Sequence, residues 1–230
     1  MSRTRFLALG AAVVALPLAL AGIAGAASGS AVTVRVEGLT KTLLAPTVVH
    51  THSGWITRYG APTGKCPAAS AAGALDAATR HRWAGKWDAS FGDYELTSIR
   101  GESHPFTSKD YWEIFVNDVP ASTGLCGISL RPGAQLLFAA VPDKGTEYPL
   151  AIKVPSSATV GRPFDVTVVW YTAKRKAKPL AGATVSVAGH RGTTNSHGVI
   201  SLTGSHAGTF TMTAQHAGYI RAAPVKVHFS

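Results

Sequence analysis

Alternating apolar and polar residues open the first structured region of the chain and predict β-strands. Val32, Val34 and Val36 alternate with polar neighbours, which is the period-two pattern of a half-buried strand. A second strand, rich in Leu, Val and Thr, is predicted over residues 42–51. Three later strands are predicted at residues 94–99, 111–116 and 135–141, with turn-forming residues at 117–118 and 132–133.

One segment between these strands has the periodicity of a helix. Ser70 is a suitable N-cap, and small or apolar side chains recur on one face from residue 71 to residue 79. Three basic residues follow, where the helix dipole favours cations. The order strand, strand, helix and further strands over residues 32–142 predicts an α+β domain of β-grasp type, with one helix across a mixed sheet.

The remaining region, residues 148–230, is predicted to be all-β. Leu150, Ile152 and Val154 occupy alternate positions, and a longer apolar strand covers residues 166–171. Hairpin turns follow at residues 194–199 and 204–208, each with Gly or Asn where a positive φ is needed. About seven short strands at this spacing predict a small β-sandwich of immunoglobulin (Ig) or transthyretin type.

An export signal is predicted before both regions. A positive start at Arg3 and Arg5 leads into an apolar run over residues 6–23 and a small-residue cleavage pattern at 24–26. Residues 1–27 therefore predict a cleaved signal peptide and a secreted protein with no membrane span afterwards. A retained anchor is the alternative, because the run is about long enough to cross a bilayer, although Pro17 favours cleavage.

Charge and composition separate the two regions near residue 143. The sequence carries 22 Lys+Arg and 12 Asp+Glu, a formal net charge of +10. Residues 32–142 are close to neutral, whereas residues 143–230 hold most of the excess positive charge. The turn-rich segment 143–147 is predicted to link them. With 46% apolar and 15% charged residues, the composition excludes a disordered protein.

Two cysteines, Cys66 and Cys126, are present. In an exported protein such a pair normally forms a disulfide, and closing this loop would stabilise the fold by about 4 kcal/mol in the chain-entropy model. A pair of free thiols is the alternative. The two cysteines do not form a CxxC redox motif.

Several motifs in residues 32–142 together resemble a known family. They are Gly64-Lys-Cys66, the helix at 72–79, Tyr111-Trp112 with Val116-Asn117, Gly124-Leu-Cys126 and the final strand after Gly133. The region resembles an uncharacterised family of secreted proteins similar to the C-terminal domain of transcobalamin, in the β-grasp group of soluble-ligand-binding domains. The resemblance implies a small ligand. Cobalamin-type binding is the weaker implication, because transcobalamins close this domain against a large helical domain that is not expected here.

The second region has a looser resemblance of its own. The segment 178–185, the turn at 193–198 and the strand that begins at 208 resemble carboxypeptidase regulatory-like and bacterial Ig-like domains. Because this region also holds most of the excess positive charge, we expect it to present the first region or to tether it to the cell envelope.

Aromatic residues near the helix are the main candidates for ligand binding. They are predicted to lie in loops, where flat apolar rings suit sugars, ring systems or a partner protein. The alternative is that they cover the helix and the disulfide as a small core. The five residues are Trp55, Tyr59, Trp83, Trp87 and Phe91.

A basic run is the second candidate site. Four cations within five residues attract polyanions such as an anionic cell-wall polymer, and a merely solvated hairpin loop is the alternative. Nucleic acid is not expected as a partner, because of the export signal and because no aromatic residue interleaves the cations. The four cations are Lys174, Arg175, Lys176 and Lys178.

Catalytic and metal chemistry have little support in the sequence. His50 and His52 would share one face of a strand and could reach one metal ion, but polar side chains at a strand end are the favoured interpretation. No serine-hydrolase elbow, phosphate loop or dinucleotide motif occurs. We therefore expect a secreted, non-catalytic binding protein that has no cofactor and that associates with the cell envelope through its basic region. The alternative is a structural or adhesive wall module without a small-molecule site.

Overall fold

A computed structural model describes residues 29–58, 64–144 and 147–230. The predicted signal peptide, residues 1–27, lies outside the described residues. Nineteen β-strands and a single α-helix make up the part of the chain that is described, which is therefore mostly β. No helix in these residues combines the length and the apolar character that a membrane crossing requires.

The first region holds ten of these strands and the helix. The predicted strands at 32–36, 42–51, 94–99, 111–116 and 135–141 are confirmed, as is the helix. The elements are β1 (Ala31–Glu37), β2 (Thr42–His50), β3 (Trp55–Thr57), β4 (Lys65–Pro67), α1 (Ala71–Thr79), β5 (Trp83–Asp88), β6 (Asp93–Ile99), β7 (Glu102–Ser103), β8 (Asp110–Val116), β9 (Val119–Pro120) and β10 (Gln135–Pro142).

A five-stranded mixed sheet forms the main layer of this region. Its order is β2-β1-β10-β8-β9, and β1 pairs in parallel with β10 while the other pairs are antiparallel. A smaller antiparallel sheet, β5-β6-β7, and the β3–β4 hairpin complete the region. The first and last strands of the region, β1 and β10, are therefore neighbours within its main sheet.

The helix is short and almost entirely buried, and most of its side chains are small. Ser70 is the N-cap residue as predicted, but its hydroxyl makes no cap hydrogen bond. The N–H groups of Ala71 and Ala72 instead donate to the carbonyls of Ile128 and Leu125. A distant segment of the chain therefore satisfies the start of the helix.

The second region contains nine strands arranged as two sheets. They are β11 (Leu150–Lys153), β12 (Ser157–Ala158), β13 (Pro163–Tyr171), β14 (Ala177–Pro179), β15 (Thr184–Val187), β16 (His190–Thr193), β17 (Val199–Thr203), β18 (Gly208–Gln215) and β19 (Val225–Phe229). One sheet joins β11, β13, β14 and β17, and the other has the order β12-β19-β18-β15-β16. A shared core holds Val166 and Val168 of the first sheet with Val185, Met212 and Phe229 of the second, which is a sandwich-like arrangement.

An apolar cluster joins the two regions. Phe115, Leu137 and Val141 of the main sheet pack with Ile220, which lies in the segment between β18 and β19 of the second region. All four side chains are buried. The second region therefore covers the face of the main sheet that carries these three residues.

Buried charges complete this interface. The two oxygens of the Glu37 carboxylate accept hydrogen bonds from Arg35 Nη1 (2.9 Å) and Arg221 Nε (2.8 Å). Arg35 also donates to the Arg221 carbonyl at 2.8 Å. Burial lowers the pKa of Arg35, against the opposing attraction of Glu37. Arg35 and Glu37, expected from the alternation of β1 to face water, are thus buried because the second region packs on them.

Candidate functional site

A groove of about 860 Å³ opens on the first region. Its walls are the β3–β4 hairpin, the β5–β6 turn with the start of β6, the loop around residue 106, and the segment 122–127. Its volume lies within the range of about 300–1,000 Å³ that small-ligand sites usually have. We call this feature the aromatic groove.

Three exposed aromatic rings line the aromatic groove. Trp55, Phe91 and Phe106 are 66%, 83% and 70% exposed, and no other tryptophan or phenylalanine of the described residues is exposed. They come from three separate elements: the start of β3, the β5–β6 turn and the loop between β7 and β8. Exposed apolar surface gathered at one concave place is typical of a binding site.

The predicted disulfide is present and ties two walls of the groove together. Cys66 lies on β4, which pairs with the strand that carries Trp55. Cys126 lies in the opposite wall, with 4.7 Å between the two Cα atoms. The bond therefore connects the β3–β4 hairpin to the segment 122–127.

The Asp93 carboxylate also contacts the wall formed by the segment 122–127. Its two oxygens lie 3.2 and 3.0 Å from the backbone nitrogen of Cys126, and Oδ1 also accepts from the N–H of Tyr94 at 2.7 Å. A Cβ at Gly124 would lie 2.7 Å from Cγ of Asp93, so this close approach requires glycine. Burial raises the pKa of Asp93, although the N–H groups of residues 94 and 125–127 oppose that rise.

The charged groups of the groove are mainly carboxylates. Asp88, Asp93 and Glu95 line it together with Lys65. Asp88 accepts hydrogen bonds from the N–H and hydroxyl of Ser90, which lower its pKa. Glu95 accepts from the N–H of Phe106 at 3.2 Å and so helps to place that ring. The groove therefore offers ring faces beside acceptors for hydroxyl or ammonium groups.

The predicted aromatic residues divide between the groove and the core. Trp55 and Phe91 line the groove, whereas Trp87 is half-buried with its ring 5.0 Å from that of Tyr94. Trp83 is only 2% exposed and does not line the groove. Tyr59 lies outside the described residues. The set is therefore divided between rings that are exposed at the groove and rings that pack inward.

The predicted loop after the helix is wrong, because the chain forms strand β5 there. Trp83, Trp87 and their neighbours pair with β6, and the register shifts between Ala84 and Gly85. The glycine that suggested a loop instead marks a β-bulge. Pairing with a strand ten residues further along overrides the local pattern.

The buried Trp83 is anchored by Asp76 of the helix. The indole N–H donates to Asp76 Oδ1 at 2.8 Å, and His81 Nδ1 lies 2.6 Å from Oδ2. The Arg58 guanidinium lies 5.4 Å from the centre of the Trp83 ring. This network stabilises the position of β5 and its partner β6. These two strands carry residues 91–95, which form one wall of the groove.

Phe106 is the groove residue that the sequence interpretation missed. It follows His104-Pro105 and precedes Thr107-Ser108, so its turn-forming neighbours were a signal of an aromatic residue in a loop. That signal does not say which other segments the loop meets. The groove is assembled from segments more than 70 residues apart, and their meeting depends on the whole fold.

The basic run forms a hairpin turn between β13 and β14, as predicted. Lys174, Arg175, Lys176 and Lys178 are all exposed. Lys178 Nζ lies 5.4 Å from the centre of the Trp170 ring, so this cation has a partner within its own region. Arg175 lines a second pocket together with residues of the first region.

The histidine pair does not form a recognisable metal site in the described part of the chain. His50 is exposed at the end of β2, and His52 Nδ1 donates to the carbonyl of Ser53 at 2.9 Å. Among the described residues, one group of three potential ligands is close enough for a metal ion. It consists of Asp93 and the two cysteines, whose sulfurs are already bonded to each other.

No protein-family model matches the chain, and no curated protein matches it at a significant level. The two family resemblances and the function that they imply therefore stay predictions.

Proposed function

We propose that this is a secreted, non-catalytic binding protein and that the aromatic groove is its ligand site. In this proposal the first region is a transcobalamin-C-terminal-like β-grasp domain, and the second is an Ig-like domain that presents it. The observation that carries the proposal is the gathering of all three exposed Trp and Phe rings of the described residues at one groove. Burying those rings against a ligand would supply a favourable apolar term.

The ligand class that fits best is an oligosaccharide whose groove-bound rings are uncharged. The C–H faces of a pyranose ring pack against aromatic rings, while its hydroxyls donate to carboxylates. The aromatic groove offers both groups, in the rings of Trp55, Phe91 and Phe106 and in the carboxylates of Asp88 and Glu95. Its volume of about 860 Å³ and its lining from four segments leave room for several linked rings.

The composition of the groove supports binding rather than catalysis. The part of its lining that the structure describes contains no histidine, and its cysteine is bonded in the disulfide. Ser122 and Thr123 therefore have no imidazole beside them in this lining to act as a base. Asp93 is engaged by backbone N–H groups and holds the wall of the groove.

Association with an anionic envelope polymer is a second candidate function. The hairpin that carries Lys174 and Lys176 is exposed, and none of its cations forms an ion pair with the described carboxylates. Salt-sensitive retention by isolated cell walls, lost when the four cations of the hairpin are replaced by Ser, would support it.

Isothermal titration with two neutral probes tests the main proposal. The probes are the tetrasaccharides of β-1,4-linked glucose and of β-1,4-linked N-acetylglucosamine. We expect at least one of them to bind, and Trp55→Ala and Phe106→Ala each to weaken it by about five- to tenfold. The control is Val48→Ala, which removes an exposed apolar side chain outside the groove. Absence of binding of both probes at millimolar concentration would overturn the carbohydrate proposal.

A further inference from the structure

We propose that the ligand of the aromatic groove carries one anionic group at its end, and that Arg175 of the second region binds this group. The inference rests on the proposed function, because the rest of the ligand lies in the aromatic groove. It adds a composite site to which both regions contribute. The ligand class becomes an oligosaccharide with a terminal carboxylate or phosphate.

A second pocket next to the groove provides the place for this group. It has a volume of about 260 Å³ and is lined by residues of the segments 119–123 and 127–129 and by Arg175. We call it the cationic pocket. It shares Ser122, Thr123 and Gly127 with the aromatic groove. A chain of sugar rings that leaves the groove along this segment therefore reaches the cationic pocket directly.

The two cavities have opposite charge. Arg175 is the one charged side chain in the described lining of the cationic pocket, where it stands beside the hydroxyl-bearing residues Ser122, Thr123 and Ser129. The aromatic groove has three carboxylates against Lys65. An anionic group is consequently disfavoured inside the groove and favoured at its neighbour, which assigns the two ends of the ligand different chemistry.

Backbone hydrogen bonds order the turn that presents Arg175. The N–H of Arg175 donates to the carbonyl of Thr172 at 2.8 Å, and the N–H of Thr172 donates to the carbonyl of Lys176 at 3.0 Å. Arg175 itself has a left-handed φ of +59°, as the turn requires. The ordered turn fixes the backbone from which Arg175 reaches the pocket, and a guanidinium can make paired hydrogen bonds to a carboxylate or a phosphate.

The buried interface fixes the cationic pocket as a site shared by both regions. Glu37 and Arg221 are hydrogen-bonded across it, and Ile220 packs among the apolar side chains of the main sheet. The second region is thereby fixed against the first rather than tethered by a linker alone. Arg175 can therefore stand at a defined distance from the groove.

The basic run contains its own matched controls. Lys174 and Lys176 flank Arg175, are also exposed and carry the same charge, but are not among the residues that line the cationic pocket. A purely electrostatic attraction would depend on all three cations about equally. A positioned contact would depend on Arg175 alone.

Titration with a neutral tetrasaccharide and its aldonic acid, at low ionic strength, tests the inference. In the aldonic acid the sugar at the reducing end is opened and carries a carboxylate, while the other rings are unchanged. A third probe, the same chain with a terminal phosphate, shows whether carboxylate or phosphate is preferred. We expect the wild type to bind the anionic probe about tenfold more tightly than the neutral one. Arg175→Ala should abolish this preference and leave the affinity for the neutral probe unchanged, whereas Lys174→Ala and Lys176→Ala should retain it.

The outcomes separate this inference from the proposal on which it rests. Binding of the neutral probe without any preference for the anionic ones would overturn the role of Arg175 and leave the groove proposal standing. Equal losses in all three variants would also overturn it, by showing unspecific attraction. If no probe binds, both proposals fail together.

Discussion

Two tryptophans of the first region show that their surroundings decide whether a tryptophan is buried or exposed. Trp83 is buried because its indole N–H has an acceptor in Asp76, so the whole ring can leave water. Trp55 stands two-thirds exposed on a three-residue strand at the edge of the groove. Both follow or precede small residues in the sequence. The difference lies in the partner that the fold brings to each indole.

Replacing Asp76 should therefore be costly. Asp76→Ala removes the acceptor of the buried Trp83 N–H and of His81, and we expect the free energy of unfolding to fall by about 2–3 kcal/mol. Urea denaturation measures this. Asp165→Ala, which removes an exposed carboxylate on β13, is the control and should leave stability unchanged. Equal losses in the two variants would show that the buried network does not carry this stability.

The stabilisation by Glu102 should depend on pH. Burial opposes its ionisation, but contacts from His104 (2.9 Å) and the Leu39 N–H (2.8 Å), with the charge of Lys41, outweigh burial and lower its pKa. A pKa that is lower in the folded state gives stability that is present above the unfolded pKa and lost as the pH falls through the folded pKa.

Comparison with Glu102→Gln between pH 3 and pH 7 tests this dependence. The wild type should exceed the variant by about 1 kcal/mol above roughly pH 5. The difference should shrink steadily as the pH falls below about 4.5, the unfolded value for Glu. A difference that grows on acidification would contradict the assigned direction of the shift.

At the scale of elements, the groove depends on short strands that the main sheet does not contain. The β3–β4 hairpin carries Trp55, and the disulfide joins it to the segment that forms the opposite wall. Two three-residue strands have too few hydrogen bonds to be stable alone. The covalent bond and the Asp93 contacts therefore hold the groove open in one shape.

Removing the disulfide should affect both stability and binding. We expect Cys66→Ser combined with Cys126→Ser to lower the free energy of unfolding by about 4 kcal/mol, because the unfolded chain regains the freedom of the open loop. Binding of the neutral tetrasaccharide should be lost at a temperature where the variant is still folded by circular dichroism. Full binding by a folded variant would show that the groove does not need this bond.

The sequence predicts regular elements of this region better than its site. Strand β1 follows from residue alternation, strand β10 from its continuous apolar run, and the helix from its run of small apolar residues. Strand β5 does not, because its glycine at a bulge looks like a loop signal. The position of Phe106 in the groove does not follow either, since it depends on contacts between segments far apart in the sequence.

At the scale of the whole molecule, the buried charges between the regions are the central feature. Glu37 is 2% exposed and is held by arginines from both sides of the interface. The buried Glu37 and Arg35 and the partly exposed Arg221 are favourable together only while each keeps its hydrogen bonds. The two regions should accordingly unfold and move as one unit.

Loss of Arg221 tests this coupling. Arg221→Ala leaves Glu37 with one fewer partner, and we expect a loss of about 3 kcal/mol together with faster proteolysis in the segment 143–147. Lys226→Ala, an exposed cation on β19, is the control. Unchanged proteolysis and a single unchanged unfolding transition in Arg221→Ala would mean that the apolar cluster alone joins the regions.

The most direct test of the groove as the ligand site is an NMR titration of the tryptophan indole N–H signals with the neutral tetrasaccharides. The chain has five tryptophans, of which Trp55 lines the groove and Trp170 lies in the second region. We expect the Trp55 signal to shift in a saturable way while the Trp170 signal stays in place. A titration that moves Trp170 and leaves Trp55 unchanged, or that moves neither, would contradict the assignment of the groove.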